Sequence, residues 1–138
     1  MEKRNLGNTG TKVGALGIGA MSFSDFYGPT NTQESHAILK MALDNGIDHI
    51  DTAKVYGMGL SEERIGQFLN TLSPNDRQFF KIATKGGIDR KNFDDKGTVV
   101  FDNSKEFLTE ELDNSLKRLG VDCVELYYVH RREADRSI

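Results

Sequence analysis

Four ionisable side chains fall at or close behind the ends of short apolar stretches. Asp51, Lys85 and His130 each follow one such stretch, and Tyr56 comes five residues after Asp51. If the three stretches are neighbouring parallel strands, their carboxyl ends lie at one edge of the sheet. Active sites assembled from the ends of several parallel strands have this arrangement. The spacing therefore predicts that the four side chains meet at that edge.

Together these residue types can deliver a proton to a bound molecule. A free tyrosine titrates near pH ~10, so alone it is a poor proton donor at neutral pH. An ammonium group beside it stabilises the phenolate, and Lys85 can supply that charge. A lysine buried alone tends to lose its proton, so Asp51 is needed to keep it charged and in place. The set predicts Tyr56 as a general acid and His130 as the group that orients a substrate carbonyl. No side chain donates hydride, so a reduction would need a cofactor.

Strands alternate with helices along the chain, which predicts an α/β fold with a parallel sheet and right-handed crossovers. A turn rich in glycine and asparagine at residues 4–13 predicts a β-hairpin ahead of this pattern. The predicted strands are residues 14–21, 47–50, 79–84 and 124–129, and the predicted helices are residues 32–45, 61–72 and 104–119.

Helical spacing predicts which side chains face the sheet. In the first helix these are Ile38, Met41 and Ala42. In the second helix Ser61 is predicted to be the N-cap, and Glu62 suits the positive end of the helix dipole.

Two loops are expected beside the predicted site. Residues 22–31 carry three aromatic side chains, Phe23, Phe26 and Tyr27. Such a loop either packs on its own barrel or walls a pocket above the first strand. Residues 86–103 form a long polar segment at the same edge, which predicts an irregular loop that is mobile without ligand.

Composition and motifs argue against several classes of protein. The formal net charge of −3 gives no basic excess for nucleic acid or an anionic membrane, and no apolar run approaches a membrane span of ~20 residues. The N-terminus lacks the apolar stretch of a secretory signal, and one cysteine fits a reducing compartment, so a cytoplasmic location is expected. Gly17-x-Gly19 lacks the third glycine of a dinucleotide-binding loop. The histidines and the cysteine have no metal-ligand spacing, so no metal site is predicted.

Three motifs in order resemble the aldo-keto reductase family. They are Asp-Thr-Ala-x-x-Tyr-Gly at 51–57, Ala-Thr-Lys at 83–85 and Leu-Tyr-Tyr-x-His-Arg at 126–131. The resemblance implies a (β/α)8 TIM barrel with an N-terminal β-hairpin that closes its bottom. A complete barrel needs about 250 residues. Residues 1–138 are therefore expected to form one partial domain, the N-terminal half of the barrel, with the hairpin, four strands and three helices.

The resemblance also implies an activity, the NADPH-dependent reduction of an aldehyde or ketone to an alcohol. It gives the four residues the roles that their chemistry suggests: Tyr56 donates the proton, Lys85 and Asp51 tune it, and His130 orients the carbonyl. It places Met21, Ser22 and Asp51 at the cofactor, and Phe23, Tyr27, Tyr56 and His130 at the small-molecule carbonyl substrate.

Other functions stay open at this point. Lys85 could be the nucleophile of a Schiff-base enzyme on a barrel fold. A cofactor-bound regulatory protein is a second alternative, since potassium-channel β-subunits resemble the same family. The run His130-Arg131-Arg132 departs from the family pattern of one arginine after this histidine, which leaves the role of Arg132 open. A half barrel would leave strand edges unpaired, so we expect self-association and no turnover by this chain alone.

Overall fold

A computed structural model of the chain describes residues 1–93 and 98–133. Within these residues it contains eight β-strands and four α-helices. The strands are β1 (Lys3–Asn5), β2 (Lys12–Gly14), β3 (Gly17–Gly19), β4 (His49–Asp51), β5 (Lys81–Gly86), β6 (Ile88–Phe93), β7 (Val99–Phe101) and β8 (Leu126–Val129), and the helices are α1 (Thr32–Asp44), α2 (Leu60–Leu69), α3 (Pro74–Phe79) and α4 (Lys105–Leu119).

The central sheet has four parallel strands in the order β3-β4-β5-β8. Helices lie between successive strands of the sheet, which confirms the predicted alternation. Strands β1 and β2 pair antiparallel ahead of the sheet, as predicted for the hairpin. The first strand of the sheet is shorter than predicted: only Gly17–Gly19 is extended, and Leu16 is exposed.

The core lies between the sheet and helices α1, α2 and α4. It includes Leu39, Ile50, Ile65 and Leu119, all of which are fully buried. Burial of this apolar surface provides the main driving force for folding.

Helix α1 is rotated relative to the prediction. Its buried residues are Ser35, Leu39 and Ala42, whereas Ile38 and Met41 are 46% and 67% exposed. Of the three predicted inward residues, only Ala42 is confirmed. The Ser35 hydroxyl donates to the Asn31 carbonyl at 3.1 Å, so this polar side chain is satisfied at a buried position. Because of this hydrogen bond, a serine can occupy a buried position of α1 where the sequence pattern predicts an apolar residue.

A short helix that the sequence did not predict, α3, precedes β5. Ser73 caps it by accepting a hydrogen bond from the Asp76 amide at 3.2 Å, and Pro74 is its first residue. Proline suits that position because its missing N–H has no helical partner there. The Ser-Pro pair therefore starts a new helix after α2 has ended at Leu69.

The segment predicted as an irregular loop contains the antiparallel ribbon β6-β7, so that prediction is wrong for residues 88–93 and 99–101. Two bonds tie its base to the sheet edge. The Asp102 amide donates to the Gly87 carbonyl at 3.2 Å, and the Asn103 amide side chain donates to the Arg131 carbonyl at 3.0 Å. Residues 94–97 of the predicted loop lie outside the described residues. The expected mobility stays a prediction.

None of the helices in the described ranges is both long and apolar enough to cross a bilayer.

Candidate active site

The strand register brings the predicted residues to one edge. Asp51 ends β4 opposite Ala83 of β5, and Lys85 lies two residues further along β5 opposite Tyr128 of β8. His130 follows β8, and its amide donates to the Gly86 carbonyl at 2.8 Å. Tyr56 begins a 3₁₀ turn, Tyr56–Gly59, on the connection from β4 to α2. The predicted convergence of the four residues is therefore present.

Lys85 is the centre of this group. Its Nζ donates to Asp51 Oδ1, to the Thr52 carbonyl at 2.9 Å and to Tyr56 Oη at 3.3 Å. An ammonium has three N–H donors, and these contacts use all of them. The Lys85 side chain is only 14% exposed, so water competes weakly for these positions. The ammonium is fixed between a carboxylate and a phenol.

His130 packs against the same phenol. The Tyr56 and His130 ring centroids are 5.9 Å apart with the planes at 88°, an edge-to-face pair. Burial is the largest influence on the imidazole, and with the charges of Lys85 and Arg131 it holds the pKa of His130 below its usual value, while Asp51 acts in the opposite direction. The ring is therefore neutral at neutral pH. Its Nδ1 is buried without a hydrogen-bond partner within residues 1–93 and 98–133.

The turn that carries Tyr56 is bonded to its neighbours at several points. The Thr52 amide donates to the Ala83 carbonyl at 2.9 Å, and the Lys54 amide donates to the Lys85 carbonyl at 3.3 Å. The Lys54 ammonium also forms a buried ion pair with Glu111 of α4 at 2.7 Å. These bonds hold the turn against β5 and α4.

A buried polar layer lies beneath the site, and sequence reasoning did not find it. Glu62 is fully buried and accepts hydrogen bonds from Thr84 Oγ1 at 2.6 Å and from Arg118 Nε at 2.7 Å. Ser61 is not the N-cap of α2, a position that Gly59 takes; its hydroxyl instead donates to the Ala20 carbonyl at 2.8 Å. The layer connects β5, next to Lys85, with helices α2 and α4.

The inner face of α4 belongs to the same layer. Its buried residues are Glu111, Ser115 and Leu119, four residues apart. Burial, and then the charges of Glu111 and Glu62, raise the pKa of Tyr127, so its hydroxyl stays protonated and donates to the Leu108 carbonyl at 3.0 Å. The sequence signal for this layer was the spacing of Glu111, which lies eight residues before Leu119 and therefore on the same face of α4.

A cleft of about 640 Å³ opens beside Tyr56 and His130. Such a volume suits a small ligand. The cleft is bordered by the β4–α2 turn, the ribbon β6-β7 and the segments after β3 and β8. The described residues that line it are Met21, Ser24, Phe26, Val55, Tyr56, Gly57, Met58, Ile88, Arg90, Val99, Phe101, His130 and Arg131.

The aromatic loop contributes differently from the prediction. Residues Ala20–Ser24 form a 3₁₀ turn that directs Phe23 into the core, where it is 1% exposed, so Phe23, predicted to contact substrate, does not line the cleft. Tyr27 is 74% exposed and does not line the cleft; its ring packs edge-to-face on Phe26 at 5.0 Å. Phe26 is the aromatic wall from this loop. Met21 also lines the cleft, whereas Ser22 does not.

Comparison with known proteins shows which family the chain resembles. The model of the Aldo/keto reductase family matches residues 15–138, which is nearly the whole chain. The chain belongs to the aldo/keto reductase family. The motifs that carried the resemblance and the four residues on the strand ends all lie inside the matched region.

Individual relatives support the same conclusion. The aldo-keto reductase yakc [NADP(+)] of Schizosaccharomyces pombe is 36% identical over 135 residues, which is 98% of this chain and 38% of the relative. A solved aldo-keto reductase structure from Pseudomonas aeruginosa is 38% identical with a TM-score of 0.77, over 96% of this chain and 48% of that one. The holo form of an aldo-keto reductase from Bacillus halodurans is 34% identical with a TM-score of 0.76, over 92% of this chain and 39% of that one.

These family members have the TIM-barrel fold, and the chain spans less than half of their length. The sheet β3-β4-β5-β8 is therefore a partial barrel, as predicted.

Proposed function

We propose that the barrel containing this chain reduces an aldehyde or ketone to an alcohol with NADPH as the reductant. The observation that supports this most directly is the Lys85 ammonium, which contacts both the Asp51 carboxylate and the Tyr56 hydroxyl. That arrangement suits proton donation by Tyr56, because the phenolate that remains would lie beside a fixed positive charge.

In the proposed mechanism, Tyr56 Oη donates a proton to the carbonyl oxygen of the substrate. Lys85 stabilises the phenolate that remains, and Asp51 keeps Lys85 charged and in position. His130 hydrogen-bonds the same carbonyl oxygen and orients it, a role that a neutral imidazole can fill by donating a ring N–H.

NADPH, when bound, would supply the hydride. The cleft beside Tyr56 and His130 has room for part of a nicotinamide and a small carbonyl compound. Met21 lines the cleft, which supports its proposed cofactor contact. Asp51 does not line the cleft and is linked by Lys85 to Tyr56, which does. Ser22 is kept as a third proposed contact from the sequence resemblance alone. The name of the yeast relative, which carries NADP(+), supports the choice of cofactor.

The geometry gives less support to a Schiff-base mechanism. A lysine nucleophile must lose its proton before it attacks a carbonyl carbon. Lys85 Nζ instead donates to three acceptors, which uses all three N–H groups of an ammonium. Trapping of a carbonyl substrate on Lys85 with borohydride would contradict this view and support the alternative.

The test is NADPH oxidation with a reactive aromatic aldehyde. It is measured with this chain and with this chain fused to the remaining barrel strands of a family member. We expect turnover only in the fusion, and we expect Tyr56→Phe to reduce kcat there by a factor of about 10² to 10⁴. Tyr27→Phe removes another phenol hydroxyl outside the cleft and serves as the control.

Two results would contradict the mechanism. Full activity of Tyr56→Phe would show that another group donates the proton. Tight NADPH binding by the fusion with no reduction of any aldehyde would favour the regulatory role over catalysis.

A further inference from the structure

The charged side chains among the described residues that line the cleft have one sign. Among its described lining residues, Arg90 and Arg131 carry full charges, and no aspartate or glutamate is present. The whole chain has a formal net charge of −3, so this local excess of positive charge runs against the average of the molecule. A concave surface lined by one sign of charge concentrates ligands of the opposite sign.

Neither guanidinium is neutralised within residues 1–93 and 98–133, where no ion pair of Arg90 or Arg131 occurs. Structural arginines elsewhere in the chain are different. Arg118 binds the buried carboxylate of Glu62 at 2.7 Å, and Arg64 donates to a backbone carbonyl at 2.6 Å. The two arginines at the cleft thus have donors free for a ligand.

The two arginines reach the cleft from separate supports. Arg90 lies on β6 of the ribbon, and Arg131 follows His130 directly. Apolar rings of Phe26 and Phe101 line the same cleft, as does the hydroxyl-bearing Tyr56. A ligand here would meet a proton donor, an apolar wall and positive charge. That combination suits a molecule with a carbonyl group, an apolar body and an anionic group.

We propose that the site selects carbonyl compounds that carry a carboxylate or phosphate group, and that Arg90 and Arg131 bind this group. This inference rests on the proposed carbonyl reduction and deepens it by naming a substrate class. Guanidinium groups suit both anions because their planar donors match two oxygens at once.

The cofactor is a second possible source of the anion, because NADPH itself carries phosphates. The two sources can be separated by their effects. If the arginines bind the substrate, their loss weakens the binding of anionic aldehydes and leaves NADPH binding unchanged. If they bind the cofactor, the opposite pattern results.

The experiment compares two aldehydes of nearly equal shape, 4-carboxybenzaldehyde and its neutral analogue 4-carbamoylbenzaldehyde. Their dissociation constants for this chain are measured by NMR titration. We expect the carboxylate to bind more tightly by about two- to fivefold, the range of a partly exposed ion pair. Since the cleft opens to solvent, the preference should shrink as salt is added.

Arg90→Gln and Arg131→Gln test each side chain. Each variant should reduce the preference for the carboxylate, while NADPH affinity stays constant. Arg4→Gln removes the same charge from the N-terminal hairpin, away from the cleft, and should retain the preference. Chemical-shift dispersion shows whether each variant is folded. The salt dependence of the carboxylate preference is measured on the wild-type chain, so it tests the inference even if a variant does not fold.

Equal affinity for the two aldehydes at low salt would overturn the inference. So would a loss of NADPH affinity in both variants with the preference unchanged, because the anion would then belong to the cofactor. The fusion protein separates this outcome from failure of the proposed function. Equal reduction of both aldehydes rejects only the anionic substrate class, whereas reduction of neither rejects the carbonyl reductase itself.

Discussion

Replacement of Glu62 by glutamine should destabilise the chain far more than its position in the sequence suggests. Glu62 lies in the first turn of α2, where acidic residues are usually solvated. Here its carboxylate is fully buried between Thr84 and Arg118. Glu62→Gln keeps the volume of the side chain and removes only its charge and one acceptor.

The expected loss of stability follows from those two contacts. A glutamine carbonyl can still accept the hydrogen bond of Thr84, but its NH₂ group would then face Arg118 Nε, which is also a donor. Removal of one partner from a buried pair costs about 3 to 5 kcal/mol. The Arg118 side chain is 21% exposed and regains some hydration, so we expect about 3 kcal/mol.

Urea unfolding of the chain, followed by circular dichroism, measures this loss. With a slope of about 2 kcal/mol per molar, the midpoint should fall by about 1.5 M while the slope stays constant. The matched control is Glu63→Gln. Glu63 is exposed in the same helical turn, so it experiences the same helix dipole without a buried partner. Its loss should cost about 0.5 kcal/mol.

Equal midpoints for the two variants would refute the reasoning. That result would mean that the Glu62–Arg118 pair contributes no more than a surface charge. A rescued midpoint in Glu62→Gln combined with Arg118→Met, by contrast, would support it, because the double variant leaves no unpaired buried charge.

Two further predictions concern packing and pH. Gly66→Ala should lower the free energy of unfolding by about 1 to 3 kcal/mol, because a Cβ there would lie 2.2 Å from the Arg118 carbonyl oxygen. Gly19→Ala is the control in the same urea assay, since a Cβ at Gly19 has no neighbour within 4 Å. The pKa of His130 is lowered in the folded chain, so at pH values near and below the usual 6.5 the unfolded chain binds more protons than the folded chain. The free energy of unfolding therefore decreases as the pH is lowered. The urea midpoint should decrease when the pH is lowered from about 7 to 5, and it should decrease less in His130→Gln.

The location of the site could be predicted from the sequence because it depends on strand ends. Asp51, Lys85 and His130 each follow an apolar run, and a parallel register places such ends side by side. Small errors in strand length do not move them. Strand β3 was predicted as eight residues and has three, yet the edge it shares with Asp51 is unchanged.

The buried charges could not be predicted, because their partners are distant in sequence. Glu62 meets Arg118 56 residues later, and Lys54, in the turn after β4, meets Glu111 on α4. Local spacing identifies each of these residues as solvated, since charged side chains seldom lie inside unless they are paired.

The residues that line the cleft also could not be predicted, because they depend on details of the backbone conformation. One 3₁₀ turn decides that Phe23 enters the core and Phe26 the cleft, although both are phenylalanines in one loop. The ribbon β6-β7 was missed because its polar residues conceal the alternation of a strand. Its register is set by pairing with a second strand across the segment, which local propensity does not report.

Different sets of hydrogen bonds hold the two sides of the cleft against the sheet. The turn of Tyr56 is bonded to β5 and α4 through Thr52 and Lys54, with no bond to the ribbon among those described. The ribbon carries Arg90 and Phe101 and is joined at its own base. Mutations in the ribbon are therefore expected to change ligand preference without moving the Tyr56 hydroxyl. If the proposed function holds, transplanting a ribbon from another family member is a route to new specificity that leaves the proposed proton donor in place.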